Sequence, residues 1–472
     1  MVATGVEAEQ PVPSCLKFKT EGKGYAVEKC DRTITGELRI PSEYQGRPVT
    51  SIGEEAFLHC RSLTNVVIPD SVTSIGDSAF RHCRSLTNVV IPDSVTSIGD
   101  SAFFRCVGLT NIAIPNSVTS IGGHAFYGCS GLTSVTMPDS VTKIGESAFY
   151  DCSSLASVTI PNSVTEIEPM TYYNCDGLTD VTIGNSVKNI GKDAFSYCSS
   201  LTNVTIESSV VSIGEDAFGS CKNLTGVTIG NSVIDIKEGA FRGTSLTSVI
   251  IPNSVTRIGD GAFVACKELT NATLGNSVKE IGDSAFSGCS GLTNIAIPDS
   301  VTSIGRYAFY ECSSLASVTI PNSVAKIGES AFYRCSGLTS VTMPDSDTSI
   351  GSEAFKGCSS LKSVTIPDSI TVISNGMFRD CPRLKEVSFP KNLEKIGDSA
   401  FRDCKNLREV ELPESIESIG ASAFRDCLRL KKVTIMNDDV LIGKNAFNGC
   451  SSLMYIKTTE ENINPSTYDT WD

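Results

Sequence analysis

The sequence predicts a repeat solenoid, mainly β with short helical turns, of about 18 coils with a period of about 23 residues. The motif Phe-x-x-Cys recurs along the chain, and its aromatic anchor appears eighteen times, once as Tyr172 and otherwise as Phe. The cysteines of the motif follow one another at one constant step from Cys60 to Cys221 and again from Cys266 to Cys450. A constant period of this length indicates stacked units that bury one another's apolar faces.

One side of each coil is predicted to be a short β-strand. In the unit at 71–93, Leu86, Val89 and Ile91 match the L-x-x-L-x-L strand of a leucine-rich repeat. Val89 and Ile91 alternate with outward side chains, as a half-buried strand requires. Pro92 lacks a backbone donor and ends the strand. We therefore expect a leucine-rich-repeat solenoid with the form of a right-handed horseshoe or superhelix.

The rest of each coil is predicted to return through a short extended segment and one helical turn. Val95 and Ile98 begin the extended segment. Ala102, Phe103 and Cys106 follow at steps of one to three residues, which fits one short helical turn with its side chains inward. Because one coil cannot cover its own apolar face, the stack of coils forms the core.

The organisation along the chain is predicted in three segments. Residues 1–50 form an N-terminal cap that leads into the first repeat, residues 51–456 form the solenoid, and residues 457–472 form a C-terminal cap or tail. The two caps are expected because the open ends of a solenoid need to be covered. Within the first segment, residues 18–27 are predicted to form a hairpin around a glycine-containing turn.

The repeat unit also resembles a known family. The pattern P-x-S-V-T-x-I-G-x-x-A-F-x-x-C-x-x-L-T-x-V-x-I is similar to the BspA-like, or Treponema pallidum-type, leucine-rich repeats, and the resemblance extends from Gln45 to about Tyr455. Residues 40–53 also resemble the usual entry into the first repeat of that family. Members occur in host-associated bacteria and parasitic protists, and many are cell-surface or secreted adhesion proteins. The resemblance therefore implies a binding surface and no catalysis.

Three departures from the repeat are expected to disturb it locally. Asp347 replaces an inward valine, and we expect the coil to open there because burial of an unpaired carboxylate is costly. At residues 168–172, Glu-Pro-Met-Thr-Tyr replaces the usual Gly-x-x-Ala-Phe. The coil at 241–262 lacks the cysteine and is shorter than the others by a single position, which we expect to bend the solenoid slightly.

The cysteines and histidines are predicted to be structural. Seventeen repeat cysteines form a single file, one per coil, whereas a metal site needs cysteines clustered in one place. We therefore expect buried thiols that pack as small hydrophobes. Cys15 and Cys30 stand outside the file and could pair in an oxidising compartment. His59 and His82 occupy the same outward position in successive coils and are expected to be solvated, because no third metal ligand accompanies them.

Composition and motifs exclude several classes of function. The formal net charge of −14 argues against nucleic acid and against an anionic membrane surface, because both bind clustered Lys and Arg. The longest apolar runs are too short for a membrane span. The sequence contains no G-x-S-x-G, Walker or dinucleotide-binding motif. We therefore predict no enzyme, no catalytic residue, no cofactor and no metal.

The outward positions of the later strands carry the candidate binding face. In the first twelve coils these positions hold mainly Thr, Asn and Ser, and from coil fourteen onward they become charged. The charges either keep the sheet soluble or form a mixed-charge docking patch for a protein ligand, for example a host surface or matrix protein. The candidate residues are Lys362, Lys385, Glu386, Arg408, Glu409, Glu411, Lys431 and Lys432.

Two functions remain open from the sequence. The first is a non-enzymatic protein-recognition scaffold, of the adhesion type, at the cell surface or secreted. The second is an intracellular structural or adaptor protein in the cytoplasm, favoured by the absence of a visible signal peptide in residues 1–10 and by the unpaired thiols. The sequence leaves the partner and the oligomeric state open.

Overall fold

The computed structural model describes residues 13–459 and 462–463. The chain forms two compact units, the first comprising residues up to 210 together with 217–224, and the second comprising 211–216 together with the residues from 225 onward. Each unit is a stack of coils in which parallel strands pair with an offset of one repeat, as Val66 does with Val89 in the first unit and Val318 with Val341 in the second. The predicted leucine-rich-repeat solenoid is confirmed.

The first unit begins with an antiparallel hairpin of Leu16–Glu21 and Gly24–Cys30, as predicted. Gly22, at the turn, has a φ of +56°, which a glycine adopts without strain. The second hairpin strand pairs in parallel with Arg47–Ile52, which also pairs with the short strand Glu43–Tyr44. The hairpin thereby joins the first coil, and we propose that it caps this end of the first unit.

Each coil contributes one strand to a surface that we call the strand face. In the first unit these strands are Thr35–Arg39, Ser62–Val67, Asn88–Val90, Asn111–Ala113, Ser134–Thr136, Ser157–Thr159, Asp180–Thr182 and Asn203–Ile206. In the second unit they are Gly226–Ile229, Ser248–Ile250, Asn271–Thr273, Asn294–Ala296, Ser317–Thr319, Ser340–Thr342, Ser363–Thr365, Glu386–Ser388, Glu409–Leu412, Lys432–Ile435 and Tyr455–Lys457, and Asn462–Ile463 pairs antiparallel with the last.

A second strand, which we call the return strand, lies on another side of each coil. In the first unit the return strands after Arg47–Ile52 are Ser74–Ile75, Ser97–Ile98, Ser120–Ile121, Lys143–Ile144, Glu166–Ile167 and Asn189–Ile190. In the second unit they are Ser212–Ile213, Asp235–Ile236, Arg257–Ile258, Glu280–Ile281, Ser303–Ile304, Lys326–Ile327, Ser349–Ile350, Val372–Ile373, Lys395–Ile396, Ser418–Ile419 and Leu441–Ile442.

The third side of each coil, which we call the turn face, differs from the predicted helical turn. Ala79 donates its amide to the carbonyl of Gly76 within its coil, whereas Phe80 donates to Ala102 of the next coil at 2.7 Å. Amides alternate in this way along the segment, and two of its residues have a positive φ, Ser78 at 54° and His82 at 62°. The described residues therefore contain no helix, because half of the amides that a helical turn would use hold neighbouring coils together.

The core consists of files that run from coil to coil. The anchoring rings are fully buried and stack almost parallel, with 5.2 Å between the centroids of Phe80 and Phe103 and 5.5 Å between those of Phe286 and Phe309. Leu, Val and Ile of the two strands fill the rest of each coil. The side chains that the spacing placed inward are therefore inward.

The repeat cysteines are buried thiols, as predicted, except that Cys450 in the last coil is half-buried. From Cys83 onward each thiol donates to the carbonyl of the anchoring aromatic residue in the preceding coil, for example Cys129 Sγ to Phe103 O at 3.1 Å, whereas Cys60 Sγ donates to Asp31 O at 3.8 Å. Burial raises the pKa of Cys129 to about 12, so this thiol stays protonated near neutral pH. Cys15 and Cys30 are also free. A small side chain that fills space and donates one hydrogen bond explains the file without metal or disulfide.

The departures from the repeat are accommodated by neighbouring groups. Thr244 takes the place of the missing cysteine, where its hydroxyl donates to Phe241 O at 2.9 Å and lies 3.2 Å from Cys266 Sγ. Tyr172 replaces an anchoring Phe and stacks on Phe149 at 5.4 Å. Thr244 thus keeps a hydrogen-bond partner and Tyr172 keeps the ring stack, whereas the buried Tyr172 hydroxyl has no hydrogen-bond partner within the described residues.

At Asp347 the coil is rearranged rather than opened as predicted. The carboxylate is exposed, and Thr348 is buried with its hydroxyl bonded to Val324 O at 2.7 Å. The return strand keeps its usual register with the preceding coil, since Ser349 pairs with Lys326 and Ile350 with Ile327. Rotation of two residues is sufficient to keep the charge in water, so the stack is not interrupted.

Candidate functional site

All eight residues of the predicted binding face lie in the second unit, on the strand face of its last coils. Lys362, Lys385, Arg408 and Lys431 are exposed and form one file, which we call the cation file. Backbone hydrogen bonds fix its spacing, because Lys385 N donates to Lys362 O at 2.9 Å and Lys431 N donates to Arg408 O at 2.8 Å. Adjacent members of the file are thus separated by about 4.8 Å along the stack.

The acidic residues lie beside this file at the next outward positions. Glu386 and Glu409 are exposed, and Glu409 pairs in register with Lys432. Lys432 Nζ lies 3.6 Å from Glu411 Oε1, and the two side chains are 38% and 62% exposed. A pair this exposed contributes on the order of 0–1 kcal/mol to stability. The Lys432–Glu411 pair is therefore neutral as a unit, and the charges left on this face are the cation file and the exposed Glu386 and Glu409 beside it.

The cation file has no carboxylate partner within the described residues. The ion pairs found in the second unit involve other cations, such as Arg334 with Glu311 and Lys391 with Asp368. Four adjacent positive charges that lie side by side repel one another. Because this repulsion is unfavourable in the free chain, the cation file favours binding of a partner with negative charge.

The structure adds to this face two residues that sequence analysis missed, one in the cation file and one in the file beside it. Met454 follows Lys431 in the file, with its amide 3.5 Å from Lys431 O, and its side chain is 68% exposed. Tyr455 pairs with Lys432 in the neighbouring file and is half-exposed. The signal was present in the sequence, because Leu-Met-Tyr at 453–455 stands one period after Leu-Lys-Lys at 430–432. Met and Tyr are residue types that protein interfaces use as adaptable and aromatic contacts.

The two histidines that were considered for metal binding lie in the first unit. Their rings stack 4.8 Å apart and 1° from parallel, and both are half-buried rather than solvated as predicted. Burial lowers the pKa of His59 and of His82, and nearby arginine charges lower them further. In the part of the chain that the structure describes, no group of three His, Cys, Asp or Glu side chains is placed to hold a metal ion.

The strand face of the first unit carries mainly uncharged side chains, although Glu37, Arg39 and Asp180 are exposed there. Thr133, Ser134 and Thr136 are exposed there, but the hydroxyl of Thr133 donates to Thr110 O of the preceding coil at 2.9 Å. The same bond recurs at other coils, for example from Thr87 to Thr64 O at 3.0 Å. These threonines extend the ladder between coils and so have a structural role.

No helix in the described residues is long and apolar enough to cross a membrane.

Comparison with known families gives one match that covers most of the chain. The family described as BspA type leucine rich repeat region (6 copies) matches residues 50–179, 142–270, 260–385 and 371–468. No curated protein matches the chain.

Several solved structures are similar. A leucine-rich repeat protein from Bacteroides ovatus is 25% identical, with 94% of this chain and 93% of that chain covered and a TM-score of 0.44. The T. pallidum leucine rich repeat protein is 31% identical over 41% of this chain and 91% of that chain, with a TM-score of 0.38. A leucine rich cell surface protein from Faecalibacterium prausnitzii is 27% identical over 95% and 94%, with a TM-score of 0.29. With TM-scores this low, the assignment rests on the family match and on the repeat itself.

Proposed function

The chain belongs to the BspA-type leucine-rich repeat family, and from this premise we propose that it is a non-enzymatic scaffold that binds a protein through the strand face of its second unit. The observation that carries this proposal is the exposed cation file, which has no carboxylate partner among the described residues and ends beside Met454 and Tyr455. We further propose that the protein acts at the cell surface or after secretion, as adhesion proteins of similar repeats do.

The geometry indicates which kind of protein would bind. Lys362, Lys385, Arg408 and Lys431 present a line of positive charge, so the partner should offer acidic side chains at a similar spacing. Complementary charge increases the association rate and selects among partners more than it increases affinity. Met454 and Tyr455 would supply the apolar contact on which affinity depends. The partner is therefore an acidic protein surface with an apolar spot at one end.

Recognition should use side chains rather than strand addition. The backbone of this face is hydrogen-bonded from coil to coil, since Lys385 N donates to Lys362 O at 2.9 Å, Arg408 N donates to Lys385 O at 3.4 Å, and Lys432–Ile435 pairs with both of its neighbours. A peptide can extend a sheet only at an edge with free amides and carbonyls. Outward side chains are thus the groups that a partner meets on this face.

The test is a charge reversal with a matched control. The variant Lys385→Glu, Arg408→Glu, Lys431→Glu inverts the cation file, and the control Lys279→Glu, Lys326→Glu, Lys395→Glu makes the same change of net charge at exposed positions on the return side of the same unit. Affinity capture from surface extracts and matrix components should retain a protein on the parent and on the control but not on the variant. Equal retention by all three would show that the cation file is not the binding site.

A second function is favoured by one observation. All nineteen cysteines are free thiols, which suits a reducing compartment and an intracellular adaptor or structural role. Cell fractionation separates the two proposals, since protein found only in the cytosol would contradict the surface location. The same capture experiment, made with cytosolic extract, would then identify the partner of the adaptor.

A further inference from the structure

The turn face of the first unit carries a cluster of positive charge that the proposed function does not use. In a chain with a net charge of −14, such a concentration of cations is an exception. None of these arginines forms an ion pair with a carboxylate in the described residues, although other arginines of the chain do. The cluster consists of Arg32, Arg61, Arg81, Arg84 and Arg105, placed around the stacked rings of His59 and His82.

A matched position in the second unit shows what such an arginine binds. Arg105 and Arg334 occupy the same place in their coils, two residues after the anchoring Phe, with φ values of 55° and 54°. Arg334 Nη1 lies 3.2 Å from Glu311 Oε1, a carboxylate supplied by the preceding coil. The corresponding residue before Arg105 is His82. Arg105 therefore has the geometry of an anion-binding arginine without the internal anion.

The surface beside Arg105 is concave. An open depression of about 270 Å³ is lined by Arg84, Arg105, Val107, Gly128, Ser130 and Asp151. Gly128 keeps this space open, because a Cβ at that position would stand 3.0 Å from Arg105 Cγ. Two guanidinium groups thus line a depression, with Asp151 as the one carboxylate on its rim. Guanidinium groups bind carboxylate, sulfate and phosphate through two parallel hydrogen bonds.

A file of aromatic rings continues from the arginines along the same face. The guanidinium of Arg81 lies 4.8 Å from the centroid of the Phe104 ring, which stacks on Tyr127 at 4.8 Å. Tyr127 stacks on Tyr150 at 4.5 Å, and Tyr150 on Tyr173 at 4.7 Å. Since the flat faces of these half-buried rings cover one another, a ligand meets their edges and phenol groups. Phenols donate and accept hydrogen bonds, which suits a ligand rich in hydroxyl groups.

The backbone of the turn face excludes one common mode of peptide binding. His82 N donates to Phe104 O at 2.8 Å, and Arg105 N donates to Tyr127 O at 2.7 Å, so no strand edge is free here. Val107, 39% exposed, is the only large exposed apolar residue that lines the depression. A ligand that carries anionic groups next to hydroxyl groups therefore matches this surface better than an apolar helix or an extended peptide does.

We propose that the arginine cluster and the phenol file together bind a linear acidic polysaccharide, with its sulfate or carboxylate groups on Arg84 and Arg105 and its hydroxyl groups along Tyr127, Tyr150 and Tyr173. Anionic groups repeated along such a chain would meet Arg61 and Arg84, which stand one coil apart at about 4.8 Å, and Arg105 in the next coil. This site lies on a different face from the protein-binding surface proposed above and does not depend on it.

The test uses heparin as a highly sulfated probe and calorimetric titration of the whole chain. Arg105→Gln should weaken heparin binding about tenfold, as expected for one lost charge-assisted contact. It should also reduce the slope of log affinity against log salt by about one. Arg334→Gln is the matched control, with the same charge change at the same backbone conformation, and should leave affinity unchanged. Arg84→Gln serves as a second variant, since its side chain is exposed and outside the core.

Each outcome decides the proposal. Binding of heparin that is weakened by Arg105→Gln and Arg84→Gln but not by Arg334→Gln would support it, as would loss of binding to desulfated heparin. Equal weakening by all three variants would show non-specific attraction and overturn the location. Tighter binding to polyglutamate or to a DNA duplex than to heparin would overturn the ligand class and assign the cluster to an acidic peptide or nucleic acid.

Discussion

Truncation of one anchoring ring should destabilise the second unit by an amount that the stacking geometry sets. The side chain of Phe286 is fully buried and lies between Phe263 at 5.3 Å and Phe309 at 5.5 Å. Phe286→Ala deletes a buried ring and leaves a cavity in its place. The lost burial and the cavity together lower the free energy of unfolding by about 3–5 kcal/mol. Loss of two stacked contacts places the effect toward the upper part of that range.

Hydrogen exchange gives the most direct measurement, because the stability of a stack is a sum over coils and their interfaces. The amide of Phe286 donates to Ala308 O and that of Phe263 donates to Ala285 O, so these two amides report on both interfaces. At about 1.4 kcal/mol for each factor of ten, their protection should fall by roughly two to four orders of magnitude.

The control for this experiment is Ile250→Ala in the same unit. Ile250 is 70% exposed on the strand face, so its truncation should cost under about 1 kcal/mol. Phe286→Leu, which keeps much of the apolar volume, should lie between the two. Protection factors for Phe286→Ala that match those of the parent would refute the assignment of the ring files as the core.

Three other predictions follow from particular residues. Asp347→Val restores the repeat and should raise the free energy of unfolding by about 1–2 kcal/mol, because it buries an apolar side chain; a lower urea midpoint would contradict this. The stability that the buried thiols contribute should be complete below pH 9.0 and decline as pH rises toward 12, because burial raises the pKa of thiols such as Cys129 from 9.0 to about 12 while the unfolded thiol ionises first. Urea midpoints in reducing buffer that do not change between about pH 8 and about pH 11 would contradict it. Cys152→Ser should destabilise the first unit by about 1–3 kcal/mol, since a buried hydroxyl replaces a thiol in an apolar file; thermal unfolding equal to that of Cys152→Ala would show that polarity is not the cause.

The period of the sequence predicted most of the fold because one period of the sequence corresponds to one coil of the structure. The spacing of Phe80, Leu86 and Val89 placed all three inward, and they are buried. The helical turn was wrong because the residues from Ala102 to Cys106 have helical spacing, but their amides alternate between their own coil and the next. The spacing of residues within one coil does not show that an amide donates to a carbonyl of the neighbouring coil.

The functional surfaces depend on residues that stand one period apart. The charges of Lys385 and Arg408 stand out when coils are compared, whereas Met454 was missed because its side chain is uncharged. Arg105 and Arg334 look alike in their own coils, and the residue in the preceding coil, His82 or Glu311, distinguishes them. A search of such sequences for function should therefore compare each outward residue with those one period before and after it.

The measurement that tests the central claim most directly is the affinity of the captured protein partner for the parent chain and for the Lys385→Glu, Arg408→Glu, Lys431→Glu variant, at several salt concentrations. We predict that the variant binds at least about 100-fold more weakly, since each of three charged contacts contributes roughly 1 kcal/mol or more, and that the salt dependence of binding is largely lost with it. An affinity and a salt dependence equal to those of the parent would contradict the claim that the cation file recognises the partner.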